Sequence, residues 1–177
     1  MSLESLLPDT SRLTADLAAQ FVLEHPETFR DMLDASLAQE YPMAMRASRV
    51  VYLVAVAEPE LVRPYLAEIV EKMPTLHDQS VIRNFLHVFD DFTDDLSEDD
   101  LAVLLKLCFD FIEDISQTIA IRTYSLKLLY LISQRVPEIK PEMISIIQLH
   151  LPESDPGFYS QATKILRKLN REIIKPR

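Results

Sequence analysis

Glycine is nearly absent from this chain of 177 residues, which contains one glycine and 11 prolines. Tight turns and β-hairpins are hard to build without glycine, because they need backbone conformations with positive φ. The same shortage excludes the glycine-rich loops, of the GxGxxG or Walker type, that cradle phosphates. The sequence therefore points away from hairpin-rich β folds and from phosphate-binding loops of these kinds.

Groups that commonly carry catalysis or bind metals are also sparse. The single cysteine, Cys108, cannot form an intrachain disulfide, and its apolar setting LLKLCFDF predicts a small buried side chain. HExxH, CxxC and GxSxG patterns are absent, and the histidines do not stand at helical spacing from one another. We expect no metal site, no cofactor and no enzymatic activity. The four histidines are His25, His77, His87 and His150.

Long apolar runs are missing as well. No segment approaches the roughly 18 apolar residues of a membrane span. The N-terminal stretch MSLESLLPDTSRL lacks the basic and apolar regions of a signal peptide. These observations predict a cytoplasmic protein with no membrane partner.

Positive charge is scarce overall, with a formal net charge of −10. This charge disfavours nucleic acid as a partner, because nucleic-acid binding depends on neutralising phosphates. From Asp78 to Asp114 there are eleven acidic residues and two basic ones, whereas residues 160–177 hold six basic residues and one acidic residue. The basic residues are Lys164, Arg167, Lys168, Arg171, Lys175 and Arg177. The chain thus has an acidic middle and a basic end.

Two markers recur along the chain with a period near 38 residues. The first is a glutamate at a predicted helix start, in Pro26-Glu27, Pro59-Glu60, Ser97-Glu98 and Pro137-Glu138. Proline is favoured at the first helical position, and Ser97 can instead act as an N-cap. The second marker is an arginine, found as Arg46, Arg83 and Arg122. Two markers in phase indicate a repeat protein.

Apolar spacing of three to four residues predicts helices throughout, with short connectors and a single domain over residues 1–177. The strongest signal lies in Tyr41–Met73, where the unbroken apolar run Val50–Ala57 predicts a helix covered on both sides. The predicted helices are 11–24, 26–39, 42–57, 59–73, 78–92, 97–114, 117–135, 137–151 and 155–173. The last one carries an apolar stripe of Phe158, Ala162, Ile165, Leu166, Leu169 and Ile173, which suits a cap whose basic faces are solvated.

The stretch RASRVVYLVAVAEPELVRPYLAEIV resembles HEAT repeats, and IRTYSLKLLYLISQRVPEIKPEMISII is its clearest partner. The resemblance covers about Leu13 to Ile173. It implies a short α-α superhelix, or solenoid, of about four helical hairpins plus a C-terminal capping helix. It further implies a scaffold that grips a protein partner, with the second helix of each hairpin lining the concave face.

Under this hypothesis the candidate binding residues are the exposed positions of the second helices. They are Arg30, Asp34, Arg63, Glu68, Lys106, Asp110, Glu142 and Gln148. The competing interpretation of each one is ordinary solvated surface. For Arg46, Arg83 and Arg122 we expect structural ion pairs or hydrogen bonds between repeats.

The acidic turn Asp90–Asp100 is a second candidate surface for a basic partner. It does not match a calcium-binding EF-hand, because Leu96 and Ala102 stand where that loop needs glycine and glutamate. Weak self-association stays open, since the basic end of one copy could meet the acidic middle of another.

An alternative function is a HEAT-like DNA glycosylase. The absence of tryptophan and the acidic middle disfavour it, because that chemistry needs a basic groove and aromatic residues. Helical lyases of the fumarase type are excluded by the short chain and the missing mobile loop.

Overall fold

The computed structural model describes residues 2–174, apart from the side chains of Glu153 and Ile174, and this part of the chain contains helices and no strand. The all-α prediction is confirmed. The helices are α1 Leu3–Leu6, α2 Arg12–Glu24, α3 Phe29–Leu37, α4 Met43–Ala57, α5 Pro59–Val62, α6 Leu66–Lys72, α7 Gln79–Val88, α8 Glu98–Glu113, α9 Ile119–Ile132, α10 Lys140–His150 and α11 Pro156–Ile174. The one-turn helix α1 has no counterpart among the predicted helices.

The chain divides between Leu96 and Ser97 into two compact units. Unit 1 contains α1 to α7, and unit 2 contains α8 to α11. The two helices of the third predicted hairpin, α7 and α8, therefore belong to different units. The single domain over residues 1–177 stays a prediction.

Helix α4 is the centre of unit 1, where it packs against α2, α3 and α7. It buries Val50, Val51 and Val54 completely, which fits the prediction of a central apolar helix. The prediction that the whole Val50–Ala57 run is buried is wrong, because Val56 is 56% exposed. Val56 and Ala57, both exposed, are the last two residues of α4.

The predicted helix over residues 59–73 is interrupted. A 3₁₀ turn at Arg63–Tyr65 separates α5 from α6. Pro64 is the cause, because proline has no N–H to donate and its ring collides with the carbonyl four residues earlier.

The turn after α3 is closed by a residue other than glycine. Gln39 has φ of 56°, the left-handed conformation that commonly follows a helix C-terminus. This backbone conformation costs roughly 1–2 kcal/mol for a residue with a side chain. Its side chain offsets the cost, since Nε2 donates to the Thr75 carbonyl (3.3 Å) and Oε1 accepts from the His77 N–H (2.8 Å). Gln39 thereby joins one hairpin to the next.

In unit 2, α9 packs against both α8 and α11. Arg122 of α9 is only 7% exposed. Its Nε donates to the Ile112 carbonyl of α8 (3.1 Å), and its guanidinium lies 4.7 Å from the centre of the Phe158 ring of α11. The last four carbonyls of a helix lack partners within that helix, so Arg122 satisfies one of them at the end of α8. This agrees with the predicted structural role of Arg122.

Helix α11 covers unit 2 as a cap with an apolar face and a basic face. Phe158, Ala162, Ile165 and Leu169 are buried, as the stripe predicts, but Ile173 is 48% exposed. Ile173 lies in the last turn of α11. The exposed basic residues of α11 are Lys164, Arg167, Lys168 and Arg171. Lys175 and Arg177 lie outside the described residues.

Candidate protein-binding face

Arg30 on α3 holds two carboxylates at once. Its Nε and Nη2 donate to Asp34 on the same helix (3.0 and 2.5 Å), and its Nη1 and Nη2 donate to Glu68 on α6 (2.7 and 3.0 Å). Bidentate pairs of this kind fix geometry, because the planar guanidinium matches the two oxygens of a carboxylate. Three of the eight predicted residues therefore form one cluster that connects successive second helices.

Arg63 repeats this arrangement one hairpin later. Its Nε and Nη2 donate to Glu60 (3.2 and 2.8 Å), and its Nη1 pairs with Asp95. Asp95 belongs to the acidic turn, so this turn is attached to the second helix of the preceding hairpin. Like Arg30, Arg63 connects a carboxylate of its own hairpin with one of the next repeat.

Both arginines also lie beside aromatic rings. The guanidinium carbon of Arg30 is 5.9 Å from the centre of the Tyr65 ring, and that of Arg63 is 5.8 Å from the Phe92 ring. Contacts at this distance are weakly attractive and limit the motion of the guanidinium groups. The charges of this surface are therefore held in fixed positions.

Hydrogen bonds that the arginines donate to the carboxylates raise the pKa of Arg30 and the pKa of Arg63, while the Arg63 guanidinium lowers the pKa of Glu60. All these groups stay charged at neutral pH. We call the set the arginine–carboxylate face. It consists of Arg30, Asp34, Glu60, Arg63, Glu68 and Asp95, four negative and two positive residues, with a formal charge of −2.

Exposure differs among the predicted positions of this face. The side chain of Asp34 is 52% exposed, whereas that of Glu68 is 31% exposed. Sequence reasoning missed Glu60 and Asp95 as members. Glu60 stands three residues before Arg63, which is a recognisable helical pair. The pairing of Asp95 had no such signal, because it depends on how the acidic turn folds.

The remaining predicted residues lie in unit 2 and form a simpler surface. Lys106 and Asp110 make an ion pair one turn apart on α8 (2.5 Å). Glu142 and Gln148 are exposed on α10. The side chains of Lys106 and Asp110 are 78% and 53% exposed, so this pair is a surface contact within one helix and contributes little to stability.

The acidic turn is partly ordered by its own contacts. Ser97 accepts a hydrogen bond from the Asp100 N–H (3.1 Å), which confirms it as the N-cap of α8. Asp90 has a side chain only 6% exposed and pairs with His87 (Nδ1 to Oδ2, 3.0 Å). Within residues 2–174 no group of three or more His, Cys, Asp or Glu side chains is arranged to hold a metal ion.

Cys108 is fully buried in α8, and burial raises its pKa to about 12. A thiol with this pKa is protonated at neutral pH and is a poor nucleophile. This agrees with the prediction of a small packed side chain.

The HEAT repeat domain family matches the chain over residues 3–169. The chain belongs to the HEAT repeat domain family. This protein is therefore an all-α helical repeat of the solenoid class, as the resemblance predicted. No curated protein and no solved structure matches it. Among the helices that the structure describes, none has the length and apolar character needed to cross a membrane.

Proposed function

We propose that this HEAT-repeat protein is a non-enzymatic binding module whose arginine–carboxylate face takes up a basic segment of a partner protein. The observation that carries the proposal is the paired arrangement of Arg30 and Arg63, each of which binds one carboxylate of its own hairpin and one of the next repeat. The repeat family is typically a scaffold rather than a catalyst.

The charge of the face favours a basic partner. Each arginine is shared by two carboxylates, so each cluster keeps one net negative charge. The adjacent acidic turn adds to it, with Asp91 and Asp94 exposed beside Asp95. A surface with a net negative charge steers positively charged partners during encounter and helps to set their orientation.

The fixed geometry supports specificity. Ion pairs that are already formed need no further ordering when the partner arrives, which lowers the entropic cost of binding. The partner's lysines and arginines would meet the outward oxygens of Asp34 and Glu60, the more exposed carboxylates of the two clusters at 52% and 72%. A non-enzymatic role and a cytoplasmic location remain parts of this proposal.

The experiment is an affinity capture with two double variants that change charge equally. Asp34→Asn with Glu60→Gln neutralises the face, while Arg30 and Arg63 keep Glu68 and Asp95 as partners. Asp16→Asn with Glu24→Gln is the matched control on α2, where the same residue types pair with Arg12 and Gln20.

A partner that carries a basic segment should be retained by the wild-type protein and by the control, and lost by the face variant. Raising the salt concentration should release it, because surface charges are screened. A partner that both variants retain equally would show that the face is not the binding surface.

A further inference from the structure

Three arginines line one cavity in unit 1. Arg46 and Arg49 come from α4, and Arg83 comes from α7. The cavity has a volume of about 70 Å³. Its rim is formed by the exposed residues Asp9, Thr10 and Ser11, which lead into α2.

The helical geometry explains why these side chains meet. Arg46 and Arg49 are three residues apart, so they share one face of α4. Arg83 stands 37 residues after Arg46, at the equivalent repeat position, and α7 packs directly against α4. Asn84 beside it donates to Ser48 (2.9 Å), a buried hydrogen bond that fixes the two helices together.

The positive charge of the cavity is not matched by carboxylates. Across the described residues none of the three arginines makes an ion pair. The one acidic residue of the lining is Asp9; its Oδ1 accepts from the Thr14 hydroxyl (2.7 Å) and from the Ser11 N–H (2.8 Å), and these hydrogen bonds together with the charge of Arg46 lower its pKa. Three guanidiniums and one carboxylate leave a formal charge of +2, in a chain whose net charge is −10.

One hydrogen-bond donor of the Arg46 guanidinium has no acceptor. Its Nη1 donates to the Leu7 carbonyl (2.8 Å), but its Nε is buried without a hydrogen-bond partner. A buried donor without an acceptor is unfavourable, and a bound ligand or water commonly supplies the missing acceptor. Arg122, at the equivalent repeat position in unit 2, differs, because it is stacked against Phe158 and lies near Asp114 and Asp155.

We propose that this cavity binds a phosphate group in its dianionic form. A phosphate dianion matches the formal charge of +2, whereas a carboxylate neutralises only half of it. Its oxygens accept the paired hydrogen bonds that guanidinium groups offer. A cavity of about 70 Å³ is several times larger than the roughly 10–15 Å³ needed to hold one water, which leaves room for a small anion.

The test is calorimetric titration of the full chain with sodium phosphate at constant ionic strength. The wild-type protein should bind one equivalent, and Arg49→Gln or Arg83→Gln should each weaken binding about tenfold, since each removes a charge-assisted contact. Arg167→Gln, which removes an exposed charge from α11 in unit 2, is the matched control and should bind like the wild type. Equal affinity in all four proteins would overturn the proposal.

Thermal unfolding separates ligand binding from a structural role. Without phosphate, Arg49→Gln and Arg83→Gln should melt no lower than the wild type, because each substitution relieves repulsion between like charges. With phosphate, the melting temperature of the wild type should rise and that of the variants should rise less. Variants that melt well below the wild type, with no phosphate effect in any protein, would assign these arginines to structure and refute the site.

The source of the phosphate group is distinguished by titrating O-phosphoserine peptide and orthophosphate separately. Tighter binding of the peptide supports a phosphorylated ligand, and equal binding supports the free ion. Failure of both to bind contradicts the proposal. The cavity shares no residue with the arginine–carboxylate face, so failure of one proposal would not affect the other.

Discussion

Replacing Arg122 with methionine tests the best-defined tertiary contact of unit 2. Methionine keeps a long side chain of similar reach but removes the guanidinium. Two interactions disappear, the hydrogen bond from Nε to the Ile112 carbonyl (3.1 Å) and the contact with the Phe158 ring at 4.7 Å. The Ile112 carbonyl then lacks its donor near the C-terminus of α8.

The expected cost follows from these two contacts. A hydrogen bond from a charged donor contributes about 1.5–3 kcal/mol. A partly desolvated cation–π contact contributes about 1–2 kcal/mol. Removing the buried charge recovers part of the lost stability, because burial disfavours the charged form and lowers the pKa of Arg122. We therefore expect the free energy of unfolding to fall by about 1–3 kcal/mol.

Urea unfolding followed by far-ultraviolet circular dichroism measures this change. Arg167→Met is the control, since Arg167 is an exposed arginine on α11, and its replacement should change stability by less than about 0.5 kcal/mol. In the double variant with Phe158→Leu, the loss should be smaller than the sum of the two single losses. An effect of Arg122→Met no larger than that of the control would refute the structural role.

Three further expectations concern titrating groups. Cys108 should react with a thiol reagent at pH 8 only after unfolding, because burial raises its pKa to about 12; rapid reaction of the folded protein would refute this. Burial and Arg122 lower the pKa of His150, so stability should be full above about pH 6.5 and decline below it, and His150→Gln should flatten that decline in thermal melts. Burial raises the pKa of Glu172, but hydrogen bonds from Tyr130 and Lys140 outweigh it and leave it lowered. The stabilisation should therefore persist above about pH 4.5 and vanish as pH falls, whereas an unchanged acid profile in Glu172→Gln would contradict this.

Local signals predicted the helices well. Proline-glutamate pairs lie at the starts of helical segments because a first-turn proline loses no hydrogen bond, although Pro26 and Pro137 begin 3₁₀ turns that lead into α3 and α10. Apolar spacing marks the buried faces. The break at Pro64 was missed, although proline inside a helix predicts it. Burial of the Val50–Ala57 run was overestimated, because an apolar run does not reveal how many neighbours a helix has.

The candidate face was only partly predictable. Periodicity predicted exposed positions for Arg30 and Arg63; Arg30 is exposed on α3, whereas Arg63 is partly buried in the 3₁₀ turn between α5 and α6. Periodicity could not reveal that each arginine reaches a carboxylate of the next repeat, because Arg30 and Glu68 are 38 residues apart in sequence. The arginine cavity was missed for a similar reason. Arg46 and Arg83 were recognised as equivalent, but the role of Arg49, one turn after Arg46, depends on how α4 and α7 pack.

We propose that the arginine–carboxylate face binds a basic segment of a protein partner. The most direct measurement is the dissociation constant of the captured partner, determined by calorimetry for the wild type and for both neutralised double variants. The value should rise about tenfold for Asp34→Asn with Glu60→Gln and stay unchanged for Asp16→Asn with Glu24→Gln. Equal dissociation constants for the two variants would contradict the claim.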